Sequence, residues 1–202
     1  MKSLALDPGS YEGTYKLIGE EICFDFVNTI SWPETEKEHD WLHSANNFVN
    51  WALAAGLINK TQAKKMKFQS NTALNHQMKE VYAIRKELYI ILSAFAFEEK
   101  IEATVIKKLD ALFQKIVEHR HIDIKTYEWI WDEPATLSAI LNPVIWNAVY
   151  VVTELDHSRI KHCVTCNWLF YDKTKNKSRR WCDMNDCGSR DKALRYYHRQ
   201  KK

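Results

Sequence analysis

Between residues 40 and 157 apolar side chains recur at three- and four-residue steps, the spacing of amphipathic helices. Asp40 is placed to cap a first helix running through about Leu57, with Trp41, Phe48, Trp51, Ala52 and Ala55 on one face and Gly56 near its end. Thr61 opens a lysine-rich segment. Thr72 then starts a longer helix, in which Leu74, Met78, Val81, Tyr82, Arg85, Leu88, Ile91, Leu92 and Phe95 form one stripe. Another extends from about Glu102 to His119, with Val105, Leu109, Leu112, Phe113 and Ile116 turned inward. Stripes of this width bury themselves against one another and are the expected core.

The helical period breaks at His121 to Trp131, where Ile122, Ile124, Tyr127, Trp129 and Trp131 alternate as in a short β hairpin. Leu17 to Phe24 is a second expected strand. Pro134 suits the first turn of a helix carrying Leu137, Leu141, Val144, Ile145, Ala148 and Val152, with Pro143 expected to kink it before its end near His157. No internal repeat or low-complexity segment is evident. The fold class predicted is mainly α with a small β hairpin or sheet: a multihelical N-terminal domain over residues 1–158 and a small C-terminal module over 159–202.

Composition adds that a packed core is affordable to form, with 46% apolar residues and eight tryptophans. The longest apolar stretches, Tyr89 to Phe97 and Val144 to Val152, are interrupted and far shorter than the roughly twenty residues a membrane-spanning helix needs. The opening Met1-Lys2-Ser3-Leu4-Ala5-Leu6-Asp7-Pro8 is too poor in apolar length for a signal peptide, so a cytoplasmic protein without membrane contact is expected. Charge divides sharply. Residues 159–202 hold thirteen Lys and Arg against four Asp, a net +9, whereas the remainder carries −6 within a total of +3. A basic end on an acidic body is the footprint of a polyanion-binding surface.

Four cysteines lie in that basic end, as Cys163-Val164-Thr165-Cys166 and Cys182-Asp183-Met184-Asn185-Asp186-Cys187. Two short turns, each offering two thiolates, are the ligand arrangement of one tetrahedral zinc ion. Four thiolates close the coordination shell, so the ion is expected to be structural and its binding energy to serve as folding energy for a module too small to build a core alone. Cys23, in the apolar run Ile22-Cys23-Phe24, is expected to be an ordinary buried thiol.

The segments Cys163-x-x-Cys166, Phe170-Tyr171-Asp172, Arg179-Arg180-Trp181-Cys182 and Cys187-Gly188-Ser189-Arg190 together resemble a CGNR zinc finger, the C-terminal module of a family of bacterial proteins to which stress-induced transcription regulation is ascribed. Cys23-Phe24-Asp25-Phe26-Val27-Asn28-Thr29 is similar to the short signature that opens the same family's N-terminal ABATE domain. One position departs from the pattern: Ser189 stands where the family has Asn after Cys-Gly, which removes a carboxamide but leaves a hydroxyl able to cap a helix. The resemblance implies a DNA-binding regulator with one zinc ion.

A terminal helix over Arg190 to Lys202 would place Lys192, Arg195 and Arg199 on one face, with Leu194 and Tyr196 or Tyr197 packed toward the zinc core. With Arg179, Arg180, Lys175 and Lys177 in the loop, these bases are candidate phosphate contacts, and Arg190 is a further candidate that could instead brace the finger. Trp181 is expected to roof the metal site and Phe170 and Tyr171 to build the loop between the two cysteine turns. Asp25, Asn28 and Thr29 have two readings, a ligand pocket near Trp32 and Trp41 or the anchoring of turns and backbone, and the second is slightly favoured.

Catalysis is not expected. There is no glycine-rich phosphate loop, no His-Glu-x-x-His and no Gly-x-Ser-x-Gly, while His39 and His43 have metal-ligand spacing but read as polar surface. The expected partners are DNA, a small-molecule effector and a second copy of the chain in a homodimer. The competing class is a zinc-stabilised module for protein or RNA interaction without sequence-specific DNA binding.

Overall fold

A turn over residues 18–21 and the start of a short buried helix replace the strand expected over Leu17 to Phe24, of which only Leu17 lies in a strand. In the computed structural model, which describes residues 2–67 and 71–200, an antiparallel pair of strands, β1 (Lys2–Leu4) and β2 (Tyr15–Leu17), is followed by α1 (Ile22–Val27). An apolar run of this length is ambiguous by periodicity alone. Asp25 decides it by accepting the amides of Ile18 and Gly19, both at 2.8 Å, which turns the chain at the helix start. A Cβ on Gly19 would lie 2.6 Å from that of Phe24 and 2.9 Å from the amide of Asp25, so only glycine lets the turn close. Cys23, Phe24, Asp25, Phe26 and Val27 are all buried, and α1 is packed all round rather than on one stripe.

Asp40 does not cap a helix. It lies in β4 (His39–Asp40), paired with β3 (Ile30–Ser31), and its carboxylate takes both ends of the Arg85 guanidinium at 2.7 and 2.5 Å. Ser44 is the cap instead, accepting the Asn47 amide ahead of α2 (Ala45–Ala54). Then come α3 (Lys60–Lys67), α4 (Asn71–Ala96) and α5 (Ala103–Ile116). The hairpin β5 (Arg120–Ile122) and β6 (Trp129–Trp131) forms where alternation predicts it. Pro143 does not kink a helix. A 3-10 turn over Ser138–Leu141 leads into α6 (Asn142–Glu154) with Pro143 in its first turn, where its missing N–H removes no helical bond.

The chain continues through β7 (Ile160–His162) and β8 (Leu169–Tyr171) to α7 (Ser189–Gln200). Phe170 and Tyr171 are therefore in a strand, not in the loop between the cysteine turns. Lys201 and Lys202, to which the terminal helix was expected to run, lie outside the described residues. One apolar core crosses residue 159, because Ile160, Leu169 and Phe170 join Phe24, Leu88 and Val144 in it. Helix α4 packs on β7, and α1 packs on β8. No helix of the described residues is long and apolar enough to cross a membrane.

The structure also contains a repeat that the residues conceal. After α5, a 3-10 turn (Val117–His119) leads into β5, a tight turn and β6; after α6, a 3-10 turn (His157–Arg159) leads into β7, a tight turn and β8. The backbone bonds match one for one. Asp123 and Tyr127 donate to Glu128 and Asp123 in the first, Cys163 and Asn167 donate to Trp168 and Cys163 in the second, and Tyr127 and Asn167 share the left-handed conformation at φ 58° and 62°. Asp132 bonds His119 just as Asp172 bonds Arg159. Asp123 and Thr126 stand where the second hairpin has Cys163 and Cys166, so one copy carries metal ligands and the other does not.

Candidate metal centre and nucleic-acid interface

The first pair of ligands is set by the β7–β8 hairpin, whose register opposes Ile160 to Tyr171 and His162 to Leu169. Cys163 donates its amide to Trp168 at 2.8 Å, and Asn167 donates to Cys163 at 2.9 Å. Asn167 tolerates the left-handed backbone that this turn requires. The second pair is set by Asp183. Its carboxylate accepts the Asn185 amide at 2.9 Å and its carbonyl accepts the Gly188 amide at 3.0 Å, closing the wide turn Met184–Gly188 that returns Cys187 to Cys182.

All four sulfurs lie within 4.8 Å of one another, and the cysteines are buried and not joined as disulfides. Cys182 Sγ is 3.5 Å from that of Cys166 and 3.6 Å from that of Cys187. Four thiolates around a zinc ion at 2.3 Å stand about 3.8 Å apart, so the donor set and its spacing fit one tetrahedral zinc. Cys163, Cys166, Cys182 and Cys187 would hold it, and the ion supplies a cross-link with no open position for a reacting group.

Buried carboxylates brace this centre from behind. Asp172 is fully buried and accepts the Thr174 amide and hydroxyl at 2.9 and 2.6 Å and the Arg179 amide at 2.9 Å. Burial alone would raise its carboxyl, but these donors and Lys161 outweigh it and hold it at about 2. Asp183, at 4% exposure, is paired with Lys16 of β2 at 2.6 Å, which overcomes burial and keeps it below the usual carboxylate range. Neither acid is singled out by the spacing of the ligands: Asp183 is marked by Lys16, 167 residues away, and Asp172 by the turn that it closes with Thr174 and Arg179.

The candidate phosphate contacts separate into two groups. Arg179 is turned inward: its guanidinium donates to the carbonyls of Trp181, Ile18 and Cys182 at 3.1, 3.1 and 2.6 Å and covers the Phe170 ring at 4.3 Å. Lys177 is engaged by Asp156 at 2.7 Å and Ser158 at 2.6 Å. Arg180 is exposed and stands over Trp181, and Lys175 is exposed. Arg190 pairs with Asp186 at 3.0 Å and faces the Trp32 ring at 6.0 Å. Lys192, Arg195 and Arg199 share a face of α7, with Arg195 paired to Asp191 at 2.5 Å. The packing expected of that helix is not what forms. α7 buries none of its residues, and Leu194, Tyr196 and Tyr197 are 57%, 67% and 53% exposed.

Asp25, Asn28 and Thr29 all point into protein. Asp25 holds the turn before α1, and its backbone carbonyl accepts the Tyr15 hydroxyl. Asn28 bonds Leu169 in β8 through both ends of its carboxamide, at 2.8 Å each. The Thr29 hydroxyl donates to Phe26 at 2.7 Å and accepts from the buried Arg85 at 2.9 Å. The neighbouring indoles are likewise engaged, Trp41 with Ser31 and Trp32 with Tyr11. His39 stacks on Tyr11, and His43 bonds the Asp7 carbonyl.

Residues 20–154 match the ABATE family, described as "Putative stress-induced transcription regulator", and residues 159–200 match the CGNR zinc finger. No curated protein matches the chain. The two matches meet at the break between α6 and the first cysteine hairpin, and the first spans more than half of the 202 residues. The chain therefore belongs to the ABATE family and carries a C-terminal CGNR zinc finger.

Proposed function

We propose that this protein is a non-catalytic, DNA-binding regulator of transcription, in which residues 159–202 engage duplex DNA and residues 1–158 receive the controlling signal. The observation that carries this reading is α7. It is a 12-residue helix that buries none of its own side chains and carries Lys192, Arg195 and Arg199 on one face. At 1.5 Å per residue it is about 18 Å long, and a helix of that length and charge fits the major groove of B-form DNA. Arg180 and Lys175 extend the basic surface into the preceding loop, while Arg179 and the zinc centre give it a rigid base. The acidic body disfavours polyanions and confines them to this end.

Recovery of bound nucleic acid from cells, followed by competition between recovered duplex, random duplex and structured RNA, tests the reading. A regulator shows a steep fall of affinity with salt and a large preference for the recovered duplex. The exposed Leu194, Tyr196 and Tyr197 support a second reading, because such side chains also stack on unpaired bases or pack on another protein. Equal competition by RNA and both duplexes would favour that interaction module instead.

A further inference from the structure

A cleft opens between the loop before β2, the turn after β3 and the second cysteine turn. Tyr11, Trp32, Trp41 and Trp168 form its walls, and Cys166, Cys182 and Cys187 reach its floor. Trp32 has φ 54°, a left-handed backbone that an aromatic residue rarely adopts and that is retained where the surroundings enforce it. Thr35 does so by donating its amide and hydroxyl to the Trp32 carbonyl at 3.2 and 2.8 Å. The indole N–H donates to the Tyr11 hydroxyl at 3.2 Å, and Tyr11 stacks on His39 with ring centres 4.4 Å apart. The ring of Trp32 is thus fixed in position while remaining partly open to solvent.

Its surroundings select for positive charge. Lys37 Nζ and the Arg190 guanidinium already lie 5.4 and 6.0 Å from the ring centre, within reach of the electron-rich face. Glu12, Asp183 and Asp186 line the cleft with Lys16 and Arg190, and Glu36 and Glu38 line an adjoining hollow with Lys37, the two sharing Tyr11, Glu12, Trp32 and Arg190. Lys16 is paired with Asp183 and Arg190 with Asp186, which leaves Glu12, Glu36 and Glu38 against Lys37, and burial holds His39 below its ordinary range. With zinc bound, the four thiolates would add two formal negative charges beneath the floor. An anion would meet this excess of carboxylates; a cation would be drawn in.

We infer that this cleft binds a small organic cation, a guanidinium or alkylammonium compound, which stacks on Trp32 in the place now taken by Arg190. Arg190 belongs to the first turn of α7 and follows the ligand Cys187 by three residues. Displacing it leaves α7 tied to the body by one contact fewer, so occupancy of the cleft is transmitted to the helix proposed to meet DNA. The inference places the reception of the signal at the seam between residues 1–158 and the finger, since both line the cleft, and it rests on the signal-receiving part of the proposed function and not on the DNA-binding part.

The test is titration of the full zinc-loaded protein with agmatine and with tetramethylammonium, read at the Trp32 indole N–H by nuclear magnetic resonance. No nucleic acid is present, so the result is independent of the duplex assay. The expected result is a saturable shift with at least one cation, five-fold or more tighter binding in Arg190→Ala, and loss of the response at neighbouring residues in Trp32→Ala. A drift that follows ionic strength only, saturation by inorganic phosphate in place of the cations, or unchanged binding in Trp32→Ala would overturn it. Should Trp32→Ala lose zinc and fold, Arg190→Ala decides: tighter cation binding supports the site, and unchanged or weaker binding rejects it.

Discussion

Asn28, directly after α1, holds Leu169 of β8 by both backbone groups, donating to its carbonyl and accepting its amide at 2.8 Å each. The carboxamide acts as a one-residue strand, satisfying an edge that would otherwise be buried without partners, since Leu169 has no exposed surface. Trp168 repeats the connection by donating its indole N–H to Ile30 at 2.8 Å, and Tyr171 does so through its amide to Gly19 at 2.9 Å. The finger is therefore hydrogen-bonded to the body along the length of β8.

Replacing Asn28 by Ala leaves two buried backbone groups unpaired. At about 1–3 kcal/mol each the expected loss of stability is roughly 2–6 kcal/mol. Asn28→Asp keeps the acceptor but sets a carboxylate against the Leu169 carbonyl, so it should be no less damaging. Denaturant unfolding of both variants checks this, and a loss under about 1 kcal/mol would show that the clamp contributes little.

Cys182→Ala is expected to take the metal content from about one zinc per chain to near zero. Its consequence should not stop at the finger. Cys182 offers its carbonyl to Arg179, which also holds Ile18, and the core continues from Phe170 into the helices. Metal analysis together with near-ultraviolet circular dichroism will show loss of zinc accompanied by altered aromatic packing in the body. Retention of full zinc occupancy would contradict the assigned ligand set.

Arg179 and the bases of α7 should fail in different ways. Arg179→Ala removes donors to three carbonyls and the cover over Phe170, at an expected cost of roughly 2–4 kcal/mol in stability. Arg195 and Arg199 are exposed, and replacing both by Ala should leave the unfolding midpoint nearly unchanged. If both meet phosphates, the salt dependence of duplex binding flattens by about two in logarithmic slope. Thermal unfolding and affinity measured across a salt series separate the two effects.

Asp25 introduces a pH dependence of known sign. Burial pushes its carboxyl from the ordinary 3.8 up to about 6, despite the amides of Gly19 and Ile18 that favour the charged form. The folded state thus retains the proton to higher pH than the unfolded state, and the contribution of Asp25 to stability declines as pH rises between about 4 and 6. At 1.36 kcal/mol per pH unit the decline totals roughly 3 kcal/mol. Asp25→Asn should remove it, so the stability difference between the two proteins should change in favour of the variant from pH 4 to pH 7. A difference that stays constant over this range would refute the shift.

Features that depend on near neighbours in the chain were legible from residues alone. The three- and four-residue apolar steps place α4 and α5, alternation places the β5–β6 hairpin, and the cysteine spacing defines the zinc ligands, because turn and helix geometry are local. The charge division at residue 159 is likewise a property of composition. Tertiary structure decided the use of polar side chains. Asp40 has the composition of a helix cap but serves Arg85, 45 residues away, leaving the cap to Ser44. Arg179 belongs to a basic run yet is drawn inward by carbonyls on two sides of it, and Asn28 finds its partner 141 residues along the chain. A buried polar group takes whichever complementary group the packed chain brings within about 3 Å, and that proximity is set by the fold, not by sequence distance. The same reason hides the two cysteine-hairpin-like repeats, which are defined by backbone bonds that many side chains allow, so only the copy with metal ligands announces itself in the residues.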